Sequence, residues 1–534
     1  MNAVKFAPGS RPNRAAILVA LCAWTLSALV QAQTETAPAS ATFPVLGFEI
    51  QGDNPLPESE VKALLRPYVR NDATLQSLQD AVGTFERQLN VKGYALHRVV
   101  LAPQDVGGAI KLNVVSFKIA RVEVEGNRLY SVNNILASIP EMREGQTPNF
   151  NRLSVQTAMA NENSGKKIKV ALKESDDQDH IEARVSVIEG KPWSLLLSVD
   201  NTGSPSTGND RITLTGSHAN VLGQDHQFTA AYTSSAQGKD VKQIGLSYKV
   251  PLYGFGGMLG ASLTHSNVVG DFGAFQSSGI GQTMGISYSH YLPAHGGLKR
   301  YVNLSLDNKE FGITTIDGLP LPGQQARLSR PVTLAYVISS ESDRAIWNVS
   351  AGLALNLHGG NGNRLTAYQS EDPRVETANW RAVRASGSLL MPVANGWTLN
   401  ARAQLQYSAQ VLIAGEQFGL GGSNSVRGTT ERPISGDSGL LLSAEINMPP
   451  LQPGLNAIGF VDAGWVGNHK PNENKLGIDR LVSAGLGLQY VSGNLTAKLN
   501  YGRLLVGSDL PAQSGLAIPA AGDQRLHLHV SVQF

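Results

Sequence analysis

The sequence predicts a transmembrane antiparallel β-barrel of about 16 strands preceded by two small α+β domains. Three observations carry that expectation. From Trp193 to Phe534 apolar and polar residues alternate with period two, as strands with one lipid-facing and one wet face require. Between Phe43 and Pro192 one order of strands and helices occurs twice. Charged residues make up 16% of the 534-residue chain, against roughly 25% in soluble domains, while apolar residues stay at 42%. A single core is not expected at this length, because one domain takes roughly 100 to 200 residues. The 56 glycines follow no collagen-like period and fall in turns and strands. A formal net charge of +2 supplies no cationic field, and no basic run with interleaved aromatics occurs, so nucleic acid is not an expected partner.

The N-terminus reads as an export signal. Lys5, Arg11 and Arg14 precede an apolar run over 15–30, and Val30-Gln31-Ala32 supplies a small-residue cleavage pattern, which predicts a signal peptide over 1–32. The run is shorter than the ~20 apolar residues of a helical span. Cys22, the one cysteine of the sequence, lies inside it behind Leu21, too large a residue for lipoprotein processing, so the mature chain is expected to hold no thiol, disulfide or Cys-ligated metal. A short linker over 33–42, rich in Ala and Thr and interrupted by Pro38, follows. No later segment is apolar for long enough to cross a membrane as a helix, which leaves a barrel.

The repeats divide into domains over 43–117 and 118–192. Val45-Leu-Gly-Phe-Glu-Ile-Gln-Gly52 recurs as Ala120-Arg-Val-Glu-Val-Glu-Gly126, each a strand closed by Gly and then Asp53 or Asn127. In the first copy a helix begins near Pro57, and a second over 75–91 sets Leu78, Val82, Phe85 and Leu89 at helical spacing. Strands are expected over 95–101 and 109–115. The second copy predicts helices over 132–139, stopped by Pro140, and about 149–161, then strands over 168–173 and 181–188. The order β-α-α-β-β resembles the polypeptide-transport-associated (POTRA) domain. Such a fold leaves a sheet edge beside a helix, where an extended polypeptide can add as a strand.

The barrel is expected over 193–534. In Trp397-Thr-Leu-Asn-Ala-Arg-Ala-Gln-Leu-Gln-Tyr407 the odd positions read as lipid-facing and Asn400, Arg402, Gln404 and Gln406 as lumen-facing. Strand candidates begin near 194, 211, 226, 242, 256, 280, 299, 331, 345, 377, 397, 439, 456, 481, 494 and 525. Connections after odd-numbered strands are mostly long, notably 310–330, 357–376, 408–438 and 505–524, and those after even-numbered strands are short. Outer-membrane barrels have short periplasmic turns and long outer loops, so the first strand starts in the periplasm and the repeats hang there. A soluble β-sandwich or β-helix is the alternative, but either needs a polar or covered outer surface. His527 and His529 share a face of the last strand, and lumen lining is the expected role rather than metal binding.

Two motifs sharpen the function. The sixth long loop holds Phe418-Gly-Leu-Gly-Gly-Ser-Asn-Ser-Val-Arg-Gly-Thr429, and a later strand holds Gly459-Phe-Val-Asp-Ala-Gly464. With two tandem repeats, a barrel of this size and a terminal Phe534, the chain resembles the TpsB translocators of two-partner secretion, the ShlB/FhaC/HecB-like hemolysin secretion/activation proteins. That resemblance implies a loop folded into the lumen with Val426, Arg427 and Gly428 at its tip, and Phe460, Asp462 and Gly464 on the facing wall. It makes Asp462 the partner of Arg427. A charge taken out of water needs such a partner, and Lys could not reproduce a bidentate contact. Glycines at 428 and 464 allow close approach, and Glu445 fits the family pattern as an inward acidic residue. Asp200-Asn-Thr-Gly203, Thr207-Gly208 and the segment Asn220 to Asp225 resemble the family's entry strands. The family usually has an aromatic where Thr429 stands, which leaves the packing of the tip open, and the short linker leaves no room for the plug helix that many members carry.

The expected function follows from the resemblance: capture of a secreted exoprotein in the periplasm and its export, unfolded, through a barrel set in outer-membrane lipid and working as a monomer. No nucleophile elbow, P-loop or zinc-protease motif occurs, and Gly254-Phe-Gly-Gly-Met-Leu-Gly260 lacks dinucleotide spacing, so no enzyme, cofactor or metal site is expected. The rivals are an assembly factor for other barrels, a passive porin, and an adhesin or receptor.

Overall fold

The structure is a computed structural model that describes residues 41–177, 179–203, 208–237, 241–277, 280–313, 315–316, 319–320, 323–511 and 518–534. The expected signal peptide with Cys22, most of the linker, and Thr207 lie outside the described residues.

The chain opens with two units of one build. The first comprises β1 (Gly47–Gly52), α1 (Glu58–Leu65), α2 (Leu75–Val91), β2 (His97–Leu101) and β3 (Ala109–Ser116). The second comprises β4 (Lys118–Glu125), α3 (Val132–Ser138), α4 (Phe150–Ala160), β5 (Lys166–Glu174) and β6 (His180–Glu189). In each sheet the last strand lies in the middle, parallel to the first and antiparallel to the second. Among the described residues no further strand lies against the outer two, although β4 is bonded at Ile119 to Gly145 and Gln146 and β5 at Ile168 to the Asn161 side chain. Helix α2 starts where Thr74 caps it: the Thr74 Oγ1 accepts from the Ser77 N–H at 3.2 Å and the Ser77 Oγ accepts from the Thr74 N–H at 2.8 Å. Its apolar stripe buries Leu78, Phe85 and Leu89 against Ile110 and Leu112. Asn149 caps α4 and also donates from Nδ2 to the Lys92 carbonyl at 2.9 Å, so one side chain starts a helix and joins the two units.

Sixteen antiparallel strands close the barrel. The first eight are β7 (Trp193–Asp200), β8 (Arg211–Val221), β9 (His226–Ser234), β10 (Gln243–Leu252), β11 (Gly257–Ser266), β12 (Gly281–His295), β13 (Leu298–Phe311) and β14 (Pro331–Ser342). The second eight are β15 (Ala345–Asn356), β16 (Arg381–Ala394), β17 (Trp397–Tyr407), β18 (Ser438–Asn447), β19 (Leu455–Gly467), β20 (Ile478–Ser492), β21 (Leu495–Val506) and β22 (Gln524–Gln533). β22 pairs with β7 through Val530 and Val199, which removes any exposed sheet edge. β14 is preceded in the same register by Arg327–Ser329, with a break where Pro331 has no N–H to give the ladder. The faces fall as the alternation requires: Tyr407 is 61% exposed on the lipid side and Gln406 only 6% on the lumen side.

The second unit packs on the short turns. Lys166, fully buried, pairs with Asp225 at 2.6 Å in the turn between β8 and β9. The Tyr253 hydroxyl, from the turn after β10, donates to the same carboxylate at 2.8 Å. Asn163 Nδ2 donates to the Ala219 carbonyl at 2.7 Å, and Glu162 pairs with Lys299 at the start of β13. Burial pushes the pKa of the Lys166 ammonium down, and Asp225 opposes that shift. Every one of these contacts involves the short-turn end of the barrel, which fixes the units on the periplasmic side and the long loops outside.

Candidate functional site

The loop 408–437 turns inward from the outer rim, and its tip rests on β18 to β22. The turn closes on itself: Thr429 Oγ1 accepts from the Gly422 N–H at 3.0 Å and lies 3.1 Å from the Val426 carbonyl. Thr429 thus uses a hydroxyl to hold the tip. Val426 is fully buried with Leu420 and Ile434 of the loop and Leu441, Val466 and Leu481 of the wall, so the tip shares a small apolar core with the barrel.

Arg427 is 2% exposed and all three guanidinium nitrogens are used. Nε and Nη2 donate to the two oxygens of Asp462 at 2.8 and 2.9 Å, a bidentate pair. Nη1 donates to Glu445 at 2.8 Å. The Arg427 backbone N–H adds a fourth bond, to Asp462 Oδ2 at 3.1 Å. Asp462 also accepts from Ser443 Oγ at 2.7 Å, and Glu445 pairs with Lys498 at 3.0 Å. Two cations face two carboxylates, so the cluster is neutral and its buried members are hydrogen-bonded, which is what burial of charge demands.

Glycine makes the close fit possible. Glu445, Phe460, Gly485 and Gly502 stand opposite one another across β18 to β21. A Cβ on Gly485 would come within 2.3 Å of the Phe460 ring, so its absence lets that ring lie flat against the wall. The Arg427 guanidinium sits over this ring at 3.4 Å from the centroid, a cation–π contact. Gly428 has φ +98° and its backbone touches Gly502, where a Cβ would stand 2.7 Å from the Gly428 nitrogen. Gly464 is filled by Leu420, which a Cβ would meet at 2.6 Å. Finally, the Gly428 N–H donates to His527 Nε2 on β22 at 3.0 Å.

The structure therefore brings Val426, Arg427 and Gly428 against Phe460, Asp462, Gly464 and Glu445. Sequence reasoning put His527 in the lumen wall but did not give it a partner, and it passed over Lys498, Ser443, Gly485 and Gly502. Alternation along β21 places Lys498 and Gly502 on the inward face, which was the available signal. Which strands face the loop tip follows only from barrel closure.

A family model described as haemolysin secretion/activation protein ShlB/FhaC/HecB matches residues 181–490, more than half of the chain, and a model for the POTRA domain, ShlB-type, matches 43–116. Among curated relatives, the outer membrane transporter CdiB of Escherichia coli is 23% identical over 91% of this chain and 83% of its own length. The CdiB of Dickeya dadantii is 23% identical over 78% and 75%. The heme/hemopexin transporter protein HuxB of Haemophilus influenzae is 20% identical over 81% and 78%. The solved structure of CdiB from Escherichia coli superposes with TM-score 0.68 at 20% identity, covering 95% of this chain and 93% of that one, and CdiB from Acinetobacter baumannii with TM-score 0.66 at 16% identity, covering 93% and 91%. The chain belongs to the ShlB/FhaC/HecB family of haemolysin secretion/activation proteins, outer-membrane transporters with POTRA domains and a transmembrane β-barrel.

Proposed function

We propose that this transporter receives one secreted partner polypeptide at the outer sheet edges of its two periplasmic units and passes it, unfolded, through the lumen once the loop carrying Arg427 leaves Asp462. In this reading 1–32 is removed on export, 43–117 and 118–192 do the receiving, and 193–534 is the conduit, acting as a monomer. The observation that carries it is the neutral cluster of Arg427, Asp462, Glu445 and Lys498, buried except at Lys498, which seats a loop in the lumen by ion pairs over the Phe460 ring. Such a cluster is a latch: it is strong when complete, and breaking it on one side leaves charges that the water-filled lumen can solvate. The periplasm supplies no nucleotide, so forward movement comes from strand-by-strand handover and folding of the cargo outside. A passive porin has no use for a latched obstruction or for docked receiving units.

The test is export of the secreted partner, read in the culture medium, by cells carrying Arg427→Ala. The expected outcome is an inserted, heat-modifiable barrel and a partner retained in the periplasm, because a loop that cannot be reseated opens to ions more often yet no longer cycles between its two positions; normal export would overturn the latch.

A further inference from the structure

The loop with Arg427 does not obstruct the lumen by itself. The connection between β11 and β12 also turns inward and forms a hairpin, Gly270–Phe272 paired with Phe275–Ser277. Phe272 is buried and stacks on Phe275 with ring centroids 5.7 Å apart. The barrel wall makes room for this pair with small inward residues on β8, β9 and β10. Phe275 lies over Gly245, where a Cβ would stand 2.3 Å from the ring, and a Cβ on Gly273 would meet Thr215 at 2.5 Å and Ala231 at 3.0 Å. These strands are distinct from β18 to β22, which hold the Arg427 tip.

The two inward segments meet where Asn424 Nδ2 donates to Asp271 Oδ2 at 3.1 Å. Two lumenal cavities, of about 820 and 640 Å³, adjoin the two segments, and Gly270, Asp271, Asn424 and Glu431 line both. One cavity reaches Lys309 and Arg384, and the other Arg211 and His527. The fasteners differ in kind: the Arg427 tip combines ion pairs with packing of Leu420 and Val426 on the wall, whereas the hairpin is held without charge by an aromatic pair over Gly245, which no loss of charge releases. Breaking the ionic latch alone leaves the hairpin in place.

We propose that the hairpin 270–277 is a second closing element of the transport path, hooked to the first at Asp271 and Asn424, and that the path opens only when the two part and both leave the lumen. The inference rests on the lumen being the path, as proposed above.

Full-length protein in planar lipid bilayers tests it, with potassium chloride as the conducted probe. Deleting 270–277 and rejoining the ends with Gly and Ser is expected to raise the closed-level conductance several-fold with the Arg427 cluster intact; an unchanged closed level overturns the proposal. Because the deletion could prevent insertion, the pair Asp271→Cys with Asn424→Cys supplies a second measurement. The single native cysteine, Cys22, falls in the expected signal peptide, so the new thiols pair only with each other. Oxidation is expected to abolish long openings and reduction of the same sample to restore them, and equal opening in both states overturns the proposal. Ion conductance requires no cargo. A negative result here therefore leaves export through the lumen standing, whereas wild-type cells that export no partner would defeat that reading without touching the conductance comparison.

Discussion

His527 Nε2 accepts the Gly428 N–H at 3.0 Å, which ties the tip of the lumenal loop to the last strand of the barrel. The bond fixes the ring's tautomer, because Nε2 must be the unprotonated nitrogen. His527→Ala leaves a buried N–H without an acceptor, at a cost of about 1–3 kcal/mol to loop docking. Faster amide exchange at 427–429 in the inserted protein is the expected result, and His527→Gln, which offers an amide oxygen, should recover part of the protection.

Arg427→Lys keeps the charge but loses the fork that spans both Asp462 oxygens. Docking should weaken by less than in Arg427→Ala, where removing one partner of a buried network costs about 3–5 kcal/mol. Opening frequency in planar bilayers should rank wild type, Lys, Ala in increasing order. Identical values for Lys and wild type would show that charge suffices.

Gly502→Ala places a methyl 2.7 Å from the Gly428 nitrogen, and the neighbour it meets is backbone that cannot swing aside. Overpacking of this kind costs about 1–3 kcal/mol. The variant should insert normally yet expose the tip to added protease, while Gly216→Ala, where the nearest atom is a Leu195 methyl at 3.8 Å, should behave as wild type.

The seat of the second unit on the barrel can be tested by a double-mutant cycle on Lys166 and Asp225. Each single change, Lys166→Met or Asp225→Asn, strands a polar group in a buried site and should cost about 3–5 kcal/mol. The double variant should cost less than the sum, read as denaturant midpoints for release of the unit from proteolytic protection. Simple additivity would mean that the pair does not act as one.

Acid should loosen the second unit through Glu189. Burial pushes its pKa up, but the N–H groups of Arg128, Leu129 and Tyr130, at 2.8, 2.7 and 3.0 Å, outweigh that and hold it below the usual carboxylate value. A carboxylate with a depressed folded pKa contributes stability that is complete above its unfolded value, near ~4.3, and is lost as pH falls through the folded one. Amide protection at 128–130 should therefore drop on acidification below that point. In Glu189→Gln it should be low already at neutral pH and insensitive to acid.

Much of this was legible in the sequence because membranes impose simple patterns. A strand between lipid and water must alternate, so the starts of the barrel strands and the outward side of Leu526 and Leu528 could be read locally. The cores of the small units were legible because Leu78, Phe85 and Leu89 recur at helical spacing. Arg427 and Asp462 were found through family likeness, not local pattern. What stayed hidden depends on closure. Lys166 meets Asp225 from 59 residues away and Gly428 meets His527 from 99, and no local rule says which strands end up face to face. The inward hairpin left one trace, Phe272 and Phe275 in a connection that should otherwise be polar.

The Arg427 cluster also bears on the surroundings in which the cell lives. Mobile ions weaken attraction between charges they can reach, over a screening length that shrinks to about 3 Å in molar salt. Arg427 and Asp462 are closed off from solvent and Glu445 nearly so, and salt reaches the cluster only through Lys498, whose side chain is 30% exposed. Dilute and concentrated salt should therefore leave the Arg427–Asp462 arm nearly unchanged and weaken only the Glu445–Lys498 arm.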